Sequence, residues 1–178
     1  MSALWIFGAL AALAAGALLF LLLVARRIKA RHRRFFAAPP LRAAPDGTRL
    51  VDAPRALYHG TAFADGMALL LPEWREACVG DLFCTEEAIF IQREGPGAIL
   101  VIALPAVVDA SLHRAFAPLA GKELPMLRLR WQRGGEMLQT DLSLRGGMAS
   151  LETLRREIHL RQKNIAEKLA PILERPLP

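Results

Sequence analysis

LRLRWQRGGEMLQTDLSL, residues 127–144, is the stretch that decides the fold. Apolar and polar side chains alternate on both sides of Gly134-Gly135, and two glycines can take the positive φ angles of a two-residue type I′ turn. A turn there sets the register. Trp131 faces Leu138, Leu129 faces Thr140 and Leu127 faces Leu142 on one side of the ribbon. On the other side Arg130 faces Gln139 and Arg128 faces Asp141, an opposite-charge cross-strand pair. Turn chemistry, alternation and charge agree on one pairing, so the segment reads as an antiparallel hairpin.

Toward the C-terminus, Gly146-Gly147 breaks the second strand and Ser150 can cap a helix that runs to about Ala170, before Pro171. Leu151, Leu154, Ile158, Ile165 and Leu169 form one apolar stripe along it, interrupted by Arg161. Such a stripe predicts a helix lying over the sheet. Residues 171–178 are left as a tail.

Toward the N-terminus the chain reads as a series of strands. RALYHGTAFA, residues 55–64, is the first, with Leu57, His59, Thr61 and Phe63 on one face and Tyr58, Gly60 and Ala62 on the other. Residues 80–93 read as two strands joined at Glu86-Glu87, and Gly95-Pro96-Gly97 as a turn. Residues 98–104 make a further apolar strand ended by Pro105, and Val108, Ala110 and Leu112 alternate with Asp109, Ser111 and His113 in another. The expected domain therefore spans residues 55–170, mainly β with one C-terminal α-helix.

Residues 35–54, FFAAPPLRAAPDGTRLVDAP, carry four prolines and no period, which predicts an extended tether. Before it, residues 3–25 are an unbroken apolar run without a charged side chain, long enough as a helix to cross a hydrocarbon core of about 30 Å. Arg26, Arg27, Lys29, Arg31, Arg33 and Arg34 follow at once. Lys and Arg beside a span stay on the cytoplasmic side, so the expectation is a single-pass anchor with the N-terminus outside and the domain in the cytoplasm. A cleaved signal peptide wants charge before a shorter apolar core, the reverse of this order. Phe35 and Phe36 then read as aromatic residues at the membrane interface, and residues 26–54 as a polybasic stretch and linker.

Charge placement narrows the function classes. The formal net charge is +6, but seven of the 23 Lys plus Arg precede Asp46, while all 17 Asp plus Glu lie from Asp46 onward. The domain is thus close to neutral, which argues against nucleic acid and for six basic side chains against anionic headgroups, or acting only to set topology. Arg exceeds Lys and Ala, Leu, Pro and Gly abound, a bias associated with GC-rich bacterial genomes.

Several pieces together resemble the bacterial PH-like domains, of the pleckstrin-homology superfold, found on small single-pass membrane proteins. They are Tyr58-His59-Gly60-Thr61, Gly80-Asp81-Leu82 with Ile89-Phe90-Ile91-Gln92-Arg93, Leu104-Pro105, Ala120-Gly121-Lys122, the late hairpin and the final helix. The resemblance implies a curved, nearly closed β-barrel with one end plugged by the helix. It does not imply phosphoinositide binding, because the loop after the first strand, residues 65–76, holds three acids and one Arg where such domains carry several basic residues.

No site carries a catalytic or metal signature. His59, His113 and His159 fall on separate elements, Ser111 and His113 lack a nucleophile elbow, and Cys78 and Cys84 match no ligand spacing. The expectation is a non-catalytic module without cofactor that offers a surface to a protein partner. Lipid sensing, and an accessory subunit of a transport or envelope-synthesis complex, are the alternatives. Met67, Leu69, Leu70, Leu71 and Trp74 form the candidate interaction loop, with a short helix packed on the barrel as the competing reading. Gly8, Ala12 and Gly16, four apart, would let two anchors approach as a homodimer.

Overall fold

The structure is a computed structural model that describes residues 2–37, 48–69, 71–94 and 99–173. One helix, α1 (Ser2–Ala37), precedes the β domain, and it is long and apolar enough to cross a membrane. Seven antiparallel strands follow: β1 (Val51–Phe63), β2 (Cys78–Cys84), β3 (Ala88–Arg93), β4 (Leu100–Ala103), β5 (Val107–Ala117), β6 (Lys122–Arg133) and β7 (Glu136–Ser143). A short helix α2 (Pro72–Arg75) sits between β1 and β2, and α3 (Gly147–Leu173) ends the described chain. The strand order is β4-β3-β2-β1-β7-β6-β5, so β1 joins an N-terminal meander to a C-terminal one.

The β6–β7 hairpin has the register that its glycine turn dictates: Trp131 opposite Leu138, Leu129 opposite Thr140 and Arg128 opposite Asp141. Arg128 grips Asp141 through two bonds of 2.8 and 2.9 Å. Glu86-Glu87 turns β2 into β3 as expected, while Gly95-Pro96-Gly97 lies outside the described residues.

Strand β1 departs from simple alternation. Its register shifts between Tyr58 and Thr61, where Gly60 has φ +101 and a Cβ would strike the Arg75 carbonyl. The bulge reverses the faces, so Tyr58 is buried with Thr61 and Phe63 while Leu57 and His59 look out. It also starts at Val51 rather than Arg55, with Pro54 accommodated at a second register shift between Ala53 and Ala56. A shift at Val108 likewise leaves that side chain exposed in β5, against the alternation expected there, and buries Val107 and Ala110.

Helix α3 starts at Gly147, three residues before Ser150, and continues through Pro171. Leu151, Leu154 and Ile158 are fully buried against the sheet and Ile165 packs at its margin; the Leu169 side chain lies outside the described residues. Arg161, which breaks the stripe, bridges Glu157 at 3.7 Å and Glu86 at 3.9 Å. The core inside the sheet is built on Trp131, Tyr58, Phe63, Leu82, Ile89 and Ile102.

A buried polar chain crosses this core. Trp131 Nε1–H donates to Thr140 Oγ1 (2.9 Å), Thr140 to Thr61 Oγ1 (2.7 Å), Thr61 to the Tyr58 hydroxyl (2.7 Å), and Tyr58 to the carbonyl of Trp74. Each hydroxyl gives one proton and receives another, so the chain is satisfied from end to end. Burial pushes the Tyr58 hydroxyl well above its ordinary pKa, which keeps it a donor. The chain ties β6, β7, β1 and α2 into one unit.

Candidate functional site: the helix junction and the outer sheet face

The helix does not end with the apolar run. No Pro or Gly falls between Ala17 and Pro39, and residues 26–37 keep good helix formers, so the intrahelical bonds continue to Ala37. The expected linker of 26–54 is therefore helical at its start. Val24, Ile28, His32 and Phe35 recur along one side, and that side turns toward the domain.

Phe35, expected at a membrane interface, is instead a core residue, 2% exposed. Its ring meets Trp74 edge-on at 5.7 Å, Trp74 leans on Trp131 at 5.8 Å, and the Arg133 guanidinium lies over Phe35 at 4.6 Å. His32 is buried edge-on to Phe63 at 5.3 Å. The Phe36 side chain lies outside the described residues.

The basic cluster divides accordingly. Arg31, expected to face headgroups, lies over the Phe63 ring at 4.1 Å, donates to Glu136 at 2.8 Å and pairs with Asp65. The Arg31 guanidinium holds the Asp65 carboxyl below the usual carboxylate range. Arg34 reaches Glu136 at 3.6 Å but stays largely exposed. Arg26, Arg27, Lys29 and Arg33 are exposed on the helix. Gly134 serves the junction too: at φ +58 it lets the hairpin turn approach so closely that any Cβ would collide with the Arg34 carbonyl.

The loop after β1 is drawn into the same assembly. Leu69 is fully buried, Met67, Leu71 and Trp74 pack against the core, and Leu70 lies outside the described residues. The apolar side chains described there serve packing, with α2 as the short helix. Gly8 and Gly16 have open space around them and Ala12 is exposed.

The outer face of the sheet gathers residues that the sequence kept apart. His59 of β1 and His113 of β5 both feel the charge of Asp141, with His113 Nε2 4.0 Å from its carboxylate. Ser143 Oγ donates to the Pro125 carbonyl at 2.9 Å, so it accepts from His59 Nε2–H, also at 2.9 Å. His59 Nδ1 is then an unprotonated, buried nitrogen without a partner, and burial holds its pKa below the ordinary value. This is not the arrangement of a serine nucleophile, since histidine donates to the hydroxyl and no carboxylate bonds Nδ1. His159 stands apart on α3.

Among the described residues no cluster of three or more His, Cys, Asp or Glu is placed to hold a metal. Cys78 accepts from Arg93 Nε at 3.2 Å, and the buried Cys84 thiol is pushed up to about 11 by desolvation, which leaves it protonated and inert. The docking of α1 was missing from the sequence reading. Its signal was the helical recurrence of Val24, Ile28, His32 and Phe35 through the basic cluster.

No protein-family model matches the chain, and no curated protein matches it. Among solved structures, a chain of the 8S snRNP Assembly Intermediate is similar over 68% of this chain and 87% of that one, with a TM-score of 0.45 and 11% sequence identity. A likeness at that level carries no argument about what this chain does.

Proposed function

We propose that the chain is a membrane-anchored, non-catalytic PH-like module that holds a protein-interaction surface at a fixed height above the cytoplasmic face of a membrane. The observation that carries this reading is the continuity of α1: the same helix that supplies the apolar span also supplies Phe35 and Arg31 to the domain. The domain is thereby oriented as well as tethered. Retention of basic residues on the cytoplasmic side supports the orientation.

In a PH-like barrel, the loop after the first strand and the last hairpin turn shape one end. Here α1 covers that end through Asp65, Trp74 and Glu136, which leaves it occupied by the chain itself. Of the two strands that end the sheet order, β5 is the longer at 11 residues; α3 caps its start where Gln162 donates to the Val107 carbonyl, and Val108 and Phe116 are exposed by 58% and 63%. The edge of β5 beyond Val107 can accept an added strand, main chain to main chain.

The test is site-specific photo-crosslinking in intact cells, with the probe at Val108 or Phe116 and, as control, at Arg156 on α3. One discrete protein adduct from the β5 positions and none from the control is expected. The absence of adducts from β5, or the same adducts from all three positions, would reject it. The exposed Arg26, Arg27, Lys29 and Arg33 favour anionic-lipid sensing as a second reading. That reading expects salt-sensitive binding to anionic vesicles that disappears when these four become Gln.

A further inference from the structure

Leu57 of β1 pairs with Val79 of β2 on one side and Ser143 of β7 on the other, on the face of the sheet opposite the core. Side chains at this level enclose an open cavity of about 440 Å³ with Leu57, Val79, Leu124 and Leu144 as its apolar wall. That volume falls within the range of small-molecule sites, about 300–1,000 Å³. A second cavity of about 350 Å³ adjoins it toward the start of α3, and Arg55 and Arg145 line both. Arg55 and Arg145 therefore stand where the two cavities meet.

Arg55 is set there by the backbone. It has φ +57 at the bulge between Ala53 and Ala56, and its N–H is held by Asp81 Oδ1 at 3.0 Å. A non-glycine residue in this conformation takes its side chain out of the strand's alternation. Asp81 is engaged by that backbone bond and Asp52 by Arg49 at 3.0 Å. Among the described residues neither Arg55 nor Arg145 has an ion-pair partner, and both are exposed. Ser143 in the lining has its proton committed to Pro125, so an anion here relies on Arg55 and Arg145.

From these observations we infer that the cavity binds an anionic amphiphile: one carboxylate or phosphate head between Arg55 and Arg145, and a short aliphatic chain over Leu57, Val79, Leu124 and Leu144. Guanidinium forks match both kinds of head, and Leu57, Val79, Leu124 and Leu144 give the chain an apolar surface within the lining. The site lies about 20 Å along β1 from Phe63 and the α1 junction, at about 3.3 Å per residue. It is thus separate from the helix junction, and it takes a dissolved ligand rather than one held in the bilayer that α1 would cross.

Methyl NMR of the full chain in lipid nanodiscs tests this, with hexyl phosphate, hexanoate and hexanol as probes. Saturable shifts at the methyls of Leu57, Val79, Leu124 and Leu144 are expected with the anions, and binding at least tenfold weaker for hexanol. The tighter of the two anions identifies the head. The R55Q/R145Q double variant, checked for unchanged methyl signals in α1 and α3, should lose tenfold or more in affinity, while R155Q on α3 binds like the parent. Equal binding of hexanol, an unaffected double variant, or shifts only at Leu18 and Leu22 of α1 would each overturn the proposal.

Discussion

At the scale of single residues, His59 couples stability to pH through its buried ring. Its Nε2–H is spent on Ser143 and its Nδ1 faces no acceptor, so the folded chain resists a proton that the unfolded chain would take. A histidine with its pKa lowered by burial contributes nothing to the pH dependence well above about 6.5, its ordinary value. Below that, the unfolded state binds more protons, and stability falls as pH drops toward the folded pKa. The Asp65 carboxyl, held low by Arg31, acts in the same direction but only in a more acidic window. Arg128 and His113 share Asp141 with His59, so the neighbouring charges are one acid and one permanent cation besides the second histidine. Thermal melts between about pH 7.5 and about 5.5 should show a falling melting temperature for the parent and a smaller fall for H59Q. Equal falls would remove His59 from the account.

At the scale of elements, α1 is both a candidate span and a packing partner of the β domain. Burial of its last turns rests on Phe35 between Trp74 and Arg133, with Arg31 and Glu136 paired at 2.8 Å beside it. Replacing Phe35 by Ala removes a ring from a closed site and leaves a void that the rigid Trp74 and Trp131 cannot fill. F35A should destabilise the domain by about 3 kcal/mol in denaturant titrations. It should also speed hydrogen exchange across residues 28–37, because the helix end loses its apolar contact. A loss below about 1 kcal/mol with unchanged exchange would mean that Arg31 and the Gly134 contact dock the helix without the aromatic cluster.

At the scale of the whole molecule, docking replaces a tether by a rigid joint. A flexible linker of about 20 residues would let the domain wander over about 25 Å, from the scaling of a random chain. Spin labels at Arg26 on α1 and Phe116 on β5 should instead give one narrow distance distribution in nanodiscs, and R31A/F35A should broaden it. A broad distribution in the parent would contradict the joint, and with it the fixed orientation on which the proposed interaction surface depends. The cavity at Arg55 would be untouched by that outcome, since it lies wholly within the β domain.

The late hairpin was legible in the sequence because everything that sets it is local: two glycines, an alternating pattern and one charge pair. The apolar run and the stripe of α3 were legible for the same reason, since period and length need no distant partner. The reversed faces of β1 were not, because a bulge at Gly60 is chosen by the close approach of Arg75 from α2. Nor was the docking of α1, because Arg31 meets Glu136 across 105 residues of chain and Phe35 finds its pocket only once Trp74 and Trp131 are in place. By itself the sequence determined a long apolar helix, a β-rich domain and a C-terminal helix, each written in near-neighbour pattern. Only the tertiary structure decided that the basic segment is divided between packing and exposure, and that Arg55 and Arg145 share a cavity. Those outcomes depend on surfaces that exist only after distant strands have closed against one another.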